Sequence, residues 1–199
     1  MNKLTTIFFG VFSKKSVKIS NEKNNIRIHI KELKRGISDA EKQKSALVVF
    51  NKIASTSEFK AAKSILIYWS SEDELPTQEF ITEWKDKKCI LLPIVVGDKM
   101  EIKKFTSIEK MKKGYKGIWE PFSEESYCSD PDLILVPGVA FDMKKNRLGR
   151  GKGYYDRYFN QSKAPKWGVG FDFQLLKTVP FNDKDVPLNK IFTPLTTIE

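Results

Sequence analysis

The chain has 199 residues, a hydrophobic fraction of 40% and a formal charge of +10, with a pI near 9.4. That length allows one domain or slightly more, and that apolar content supports a packed core, which excludes a disordered chain. The excess of Lys and Arg points to acidic partners: nucleic acid, an anionic membrane or a phosphorylated small molecule.

In chain order, Ile7-Phe8-Phe9-Gly10-Val11-Phe12 is too short to span a bilayer. It has only Lys3 before it and no small-residue cleavage site after it, so residues 1–22 read as an extension outside the core. A targeting segment is the alternative. Nothing else approaches a transmembrane length, and a cytoplasmic protein is expected. Residues 23–37 fit two periods. Ile26, Ile28 and Ile30 alternate as in a strand, while Ile26, Ile30, Leu33 and Ile37 lie on one helical face beside Lys23, Arg27, Lys31 and Lys34. The helical pattern runs longer and is preferred. Ser38 with Glu41 is a capping box for a helix to about residue 54, with Ala46, Val49, Phe50 and Ile53 facing inward.

After a short element at 57–60, residues 64–69 read as a buried strand followed by the acidic segment Glu72-Asp73-Glu74. Glu72 and Asp73 read as an ordinary polar loop. Thr77 is expected to cap a helix to about residue 84. Residues 89–96 form a further strand, with Cys89 in the core, and residues 100–106 return as its hairpin partner. Residues 110–117 are basic and poorly periodic. Residues 132–136 are an apolar run closed by Pro137-Gly138, a buried strand ending in a turn. Residues 166–171 make another strand, and residues 174–178 a short helix. Strands alternating with helices indicate one three-layer αβα domain over residues 23–199 with a mainly parallel sheet.

Two cysteines give no disulfide framework, and the single His29 excludes a histidine-based zinc site and argues against a Ser-His-Asp triad. The chemistry concentrates in Arg147-Leu148-Gly149-Arg150-Gly151-Lys152-Gly153. A glycine-rich loop between a strand and a helix brings backbone N–H groups close to a phosphate, and the three cations add positive charge. It is neither a Walker A loop, since Gly153 follows Lys152, nor a dinucleotide fingerprint. Read without context, the same segment is also a solvated basic loop.

The longer string Pro137-Gly138, Phe141-Asp142 and Asn146 to Asp156 closely resembles the signature of the 5-formyltetrahydrofolate cyclo-ligase family, also called 5,10-methenyltetrahydrofolate synthetases. The resemblance extends to Lys23 and Arg27, to Ile118-Trp119-Glu120-Pro121 and to Asp185-Val186-Pro187-Leu188. It implies a ribose-phosphate-isomerase/CoA-transferase-like topology and an ATP- and magnesium-dependent ligase that converts 5-formyltetrahydrofolate to 5,10-methenyltetrahydrofolate. It further implies ATP contacts at Lys23, Arg27, Arg147, Leu148, Gly149, Arg150, Gly151, Lys152, Gly153, Tyr154 and Tyr155. Folate contacts would come from Trp69, Glu74, Arg150, Gly151, Lys152, Gly153 and Tyr154, with Lys152 and Arg150 acting in catalysis. Asp156 and Asp185 would hold Mg2+. Trp69 departs in type from the aliphatic residue frequent in the family, and Asn189 stands where a second aspartate is common. Tyr158 and Phe159 read as packing residues. A monomer or weak dimer acting on small molecules is expected, without nucleic acid or membrane. The alternatives are a basic nucleic-acid-binding module and a folate-binding relative without turnover.

Overall fold

The computed structural model describes residues 3–114, 117–122 and 126–199, with the side chains of the first helix from residue 16 onward. Residues 1–2 of the expected extension and residues 115–116 of the basic stretch lie outside the described residues.

A seven-stranded sheet forms the middle layer. Its core is parallel: β1 (Ser64–Leu66), β2 (Cys89–Val96), β6 (Leu133–Pro137), β9 (Lys166–Val169) and β11 (Lys190–Phe192). Two antiparallel strands close the edges, β3 (Lys99–Lys104) beside β2 and β12 (Thr197–Ile198) beside β11. Leu133, Ile134, Leu135 and Val136 are all buried, since a central parallel strand is covered on both faces and carries a continuous apolar run rather than an alternation. The outer strand β3 reads Lys-Met-Glu-Ile-Lys-Lys, and its charges keep another chain from pairing with that edge.

Three helices cover one face. They are α2 (Asp39–Ser55), α3 (Ser57–Ala61) and α4 (Gln78–Trp84), burying Val49, Phe50, Ile53, Phe59, Phe80 and Ile81 against the sheet. The capping box forms: Ser38 N donates to Glu41 Oε2 at 2.9 Å, and Glu41 N donates to Ser38 Oγ at 3.3 Å. The expected cap at Thr77 does not. Its hydroxyl instead donates to Tyr68 O at 2.8 Å and accepts from Ser70 N at 3.1 Å, tying the end of the β1 segment to α4.

The opposite face carries α5 (Tyr154–Phe159) and a small sheet in the order β10 (Leu175–Leu176), β7 (Ala140–Asp142), β8 (Arg147–Leu148). Residues 174–178 are therefore not a helix. A single 3-10 turn at Asp172–Gln174 leads into β10, which pairs with β7, and Gln174 Nε2 donates to the carbonyls of Gly138 and Val139. Part of the basic stretch is also regular: β4 (Met111–Lys113) pairs with β5 (Trp119–Pro121). The buried Asp142 carboxylate accepts four N–H groups, from Lys144, Asn146 (backbone and side chain) and Val179, and so fixes the tight β7–β8 connection.

The first helix, α1 (Lys3–Arg35), is continuous, so the boundary expected at residue 22 falls within one helix. Ile30 is fully buried against Ala140, Leu148 and Val179, which docks α1 on the small sheet. Among the described residues no helix is long and apolar enough to cross a membrane.

Candidate active site

The glycine-rich loop leaves β8 and ends at α5, beside the edge where the parallel strands finish; ligands of open α/β sheets bind at that edge. Gly151 (φ +99°) and Gly153 (φ +66°) adopt left-handed backbone that a side chain disfavours. The loop is held from three sides.

From α1, Arg27 Nε donates to Gly149 O at 3.0 Å, and its guanidinium lies over Gly151, where an added Cβ would meet it at 3.4 Å. One turn earlier Lys23 Nζ contacts Asp185 Oδ2 in a nearly buried ion pair. Lys23, Arg27 and Ile30 recur at helical spacing, so the apolar contact at Ile30 turns Arg27 onto the loop and Lys23 onto Asp185.

From the β1 side, the loop after Trp69 presents Ser71, Asp73 and Glu74 to Arg150. Arg150 Nη2 lies 2.9 Å from Ser71 Oγ, 2.6 Å from Asp73 Oδ1 and 3.0 Å from Glu74 Oε1. Lys34, buried on α1, lies 3.4 Å from Asp73 Oδ2. Partial burial raises the Asp73 pKa, but the charges of Lys34 and Arg150 and its hydrogen bonds outweigh that and lower it to about 2. From the β2–β3 turn, Asp98 O accepts Arg157 Nη2 at 2.9 Å. The same guanidinium donates to Lys152 O at 2.9 Å and stacks over Tyr154.

Beneath the loop, Arg147 is buried. Its Nη2 pairs with Asp156 Oδ2 at 3.0 Å, its Nη1 donates to Pro137 O at 3.4 Å, and it packs on the rings of Tyr155 and Phe159. Its Nε has no partner. Asp156 Oδ1 accepts a long 3.5 Å contact from Val186 N, which places Asp156 beside the segment carrying Asp185. Asp185 in turn caps the 182–185 turn, accepting from Asn182 N at 2.8 Å. Burial and the charge of Glu74 push the Tyr155 hydroxyl well above its usual range, so it stays protonated.

The sequence-expected residues thus sit in one region, with differences in what they face. Lys152 is exposed on the loop. Trp69 is half-buried and packs on Phe105 at a ring distance of 5.8 Å. The Leu148 side chain is in the core beside Ile30, so its only contribution to a ligand is backbone. Asp73, read from sequence as an ordinary loop residue, is an integral part of the ion-pair cluster with Arg150. From sequence Lys34 reads only as a member of the basic stripe on the first helix, and Arg157 is not a candidate. Lys34 continues the Lys23–Arg27 stripe by seven residues from Arg27, a spacing that was visible, whereas nothing local marks Arg157.

Asp156 and Asp185 are hard oxygen donors close to the cationic loop, a set that suits Mg2+, which takes one or two carboxylates and completes its shell with phosphate oxygens and water. Among the described residues no three His, Cys, Asp or Glu side chains cluster, so such an ion would depend on a bound phosphate for the rest of its shell.

A family model described as the 5-formyltetrahydrofolate cyclo-ligase family matches residues 19–194. The chain belongs to the 5-formyltetrahydrofolate cyclo-ligase family. This is a family of enzymes, and similar curated proteins carry its name. The 5-formyltetrahydrofolate cyclo-ligase of Mus musculus is 27% identical over 193 residues, covering 88% of this chain and 95% of the relative. That of Haemophilus influenzae is 28% identical over 180 residues, covering 85% and 96%. Among solved structures, 5,10-methenyltetrahydrofolate synthetase of Aquifex aeolicus superposes with a TM-score of 0.80 at 31% identity, over 88% of this chain and 91% of that one. The synthetase of Mycoplasma pneumoniae, at 24% identity, shares the fold with a TM-score of 0.68 over 86% and 98%.

Proposed function

We propose that the protein converts 5-formyltetrahydrofolate and MgATP to 5,10-methenyltetrahydrofolate, ADP and phosphate. The observation that carries this reading is the meeting of Arg27 of α1 and Glu74 of the β1 side at the glycine-rich loop, with Lys23 one turn away on Asp185. Cations and loop amides then lie on one side, and a carboxylate for a folate on the other.

A formamide oxygen is a weak nucleophile, and hydroxide is a poor leaving group. Transfer of the γ-phosphoryl group to the formyl oxygen, with ADP leaving, converts that oxygen into a phosphate ester. The neighbouring folate nitrogen then attacks the formyl carbon, loses its proton, and closes the ring as inorganic phosphate departs. No covalent protein nucleophile is required. The protein's task is to align two anionic substrates and to offset charge that develops during phosphoryl transfer.

In this reading Lys152, Arg150 and the loop amides meet the phosphates, and Lys23 and Arg27 close on them from α1. Glu74 and Trp69 hold the folate, with Tyr154 and the protonated Tyr155 beside the pterin or formyl group. Asp156 and Asp185 would hold Mg2+, which would supply neutralisation of the charge on the phosphates. The ion pairs Lys23–Asp185 and Arg147–Asp156 hold these carboxylates in place beside the loop. The test is growth of methenyl product absorbance from 5-formyltetrahydrofolate with MgATP; absence of ATP-dependent growth by the folded protein overturns the reading.

A further inference from the structure

We infer that Asp73, backed by the buried Lys34, is a positioning residue for Arg150, orienting its guanidinium across the boundary between the phosphate loop and the folate side. This inference rests on the reaction proposed above.

Ser71, Asp73 and Glu74 all meet one nitrogen of Arg150, Nη2. A guanidinium is rigid and planar, and Nη2 carries two of its five N–H donors. Three oxygens therefore share two protons, and the shortest, best-anchored contact sets the plane. That contact is Asp73 at 2.6 Å. The single Ser71 hydroxyl proton is shared between that same Asp73 oxygen and Glu74 Oε2, each at 2.9 Å. The second Asp73 oxygen faces Lys34, whose side chain is only 7% exposed. A buried ammonium is costly without a carboxylate beside it, so Lys34 and Asp73 fix one another.

Glu74 is anchored differently. Its Oε2 accepts from Ser71 N at 3.0 Å and from Ser71 Oγ at 2.9 Å, and only Oε1 reaches Arg150. Glu74 can therefore give Oε1 to a substrate N–H while Asp73 keeps Arg150 in place. With Nη2 committed to the acidic loop, the Nε and Nη1 side of the plane is the part left for an incoming phosphate or formyl oxygen. The Lys34–Asp73–Arg150 chain thus presets a cation that is long, flexible and, at 55% side-chain exposure, otherwise free to rotate.

The test is a double-mutant cycle on turnover, with kcat and KM measured for both substrates in wild type, Asp73→Asn, Arg150→Gln and the double variant. Asp73→Asn is expected to lower kcat/KM about tenfold, less than the roughly hundredfold that a 1 Å misplacement can cost. In the Arg150→Gln background it should cost nothing further. Lys34→Gln should lower kcat/KM in the wild type but not in Asp73→Asn, and Lys34→Arg should retain activity. Urea midpoints report the loss of stability in each variant separately from the rate, and a merely structural role would leave the two losses in kcat/KM additive. Additive losses, or wild-type kcat/KM in Asp73→Asn, overturn the inference. Failure of the wild type to form product with ATP overturns the proposed reaction instead.

Discussion

Arg147→Met separates a framework arginine from a phosphate-binding one. By its place in the signature string, Arg147 was expected to touch ATP. In the structure its side chain is 4% exposed and lies under the loop, paired with an Asp156 side chain that is 18% exposed. Removing one partner of a buried pair costs about 3–5 kcal/mol, because the other charge stays buried without compensation. Asp156 keeps some solvent and the long contact from Val186 N, which puts the loss near the lower end. Two ring contacts disappear with the guanidinium, at about 0.5–1 kcal/mol each, but the Met sulfur recovers part of this against Tyr155 and Phe159. The partnerless Nε also goes, returning about 1 kcal/mol. The net expectation is a loss of about 2–3 kcal/mol, or a urea midpoint lower by about 1–1.5 M at an m-value of about 2 kcal/mol/M. The double variant Arg147→Met with Asp156→Asn should recover about half of it, since no unpaired charge remains. Equilibrium urea unfolding, followed by tryptophan fluorescence, is the assay. An unchanged midpoint together with a raised KM for ATP would refute this account and return Arg147 to the nucleotide.

Lys152→Ala should leave the urea midpoint unchanged, because the side chain is exposed, and should cost about 2–4 kcal/mol in kcat/KM; wild-type turnover would remove the phosphate role. Asp156→Asn should raise the magnesium requirement sharply and Asp185→Asn less, read from initial rate against magnesium at fixed ATP; wild-type titrations in both would reassign the metal. A chain beginning at Asn21 retains Lys23 and Arg27 and should turn over normally, and loss of activity in that soluble variant would move the boundary of the catalytic unit toward the N-terminus. Asp73 has a folded pKa lowered to about 2, so its stabilisation is present above its unfolded pKa and is lost as pH falls through the folded value. Asp73→Asn should therefore cost about 1 kcal/mol at pH 7, discounted for its half-exposed side chain, and progressively less below about pH 4; a pH-independent difference in urea midpoint would show that charge is not the source.

Elements with a strong local signal were legible without coordinates. The run at 132–136 reads as a buried strand and is β6, Ser38 with Glu41 reads as a capping box and forms one, and the hairpin read at 89–96 and 100–106 is β2 with β3. Readings that rested on one residue failed where a distant partner competed for it. Thr77 has the right hydroxyl for a cap, but Tyr68 O and Ser70 N take it. Residues 174–178 have no strong period of their own, and pairing with β7 made two of them a strand.

The same division runs through the site. Composition and order along the chain, by themselves, determined that a glycine-rich, cationic loop follows a buried strand, that its glycines tolerate left-handed backbone, and that carboxylates follow the loop and the β1 strand. Those are properties of residue type and of neighbours within a few positions. Which cation serves which acid was decided only by tertiary structure. Arg147 is turned inward to Asp156, Arg150 outward to Asp73, and Lys23 to Asp185 across 162 positions, because α1 docks through Ile30 and β8 pairs with β7. A charge has no directional preference along the chain; its partner is whichever opposite charge the packing of apolar residues brings within reach while water is excluded.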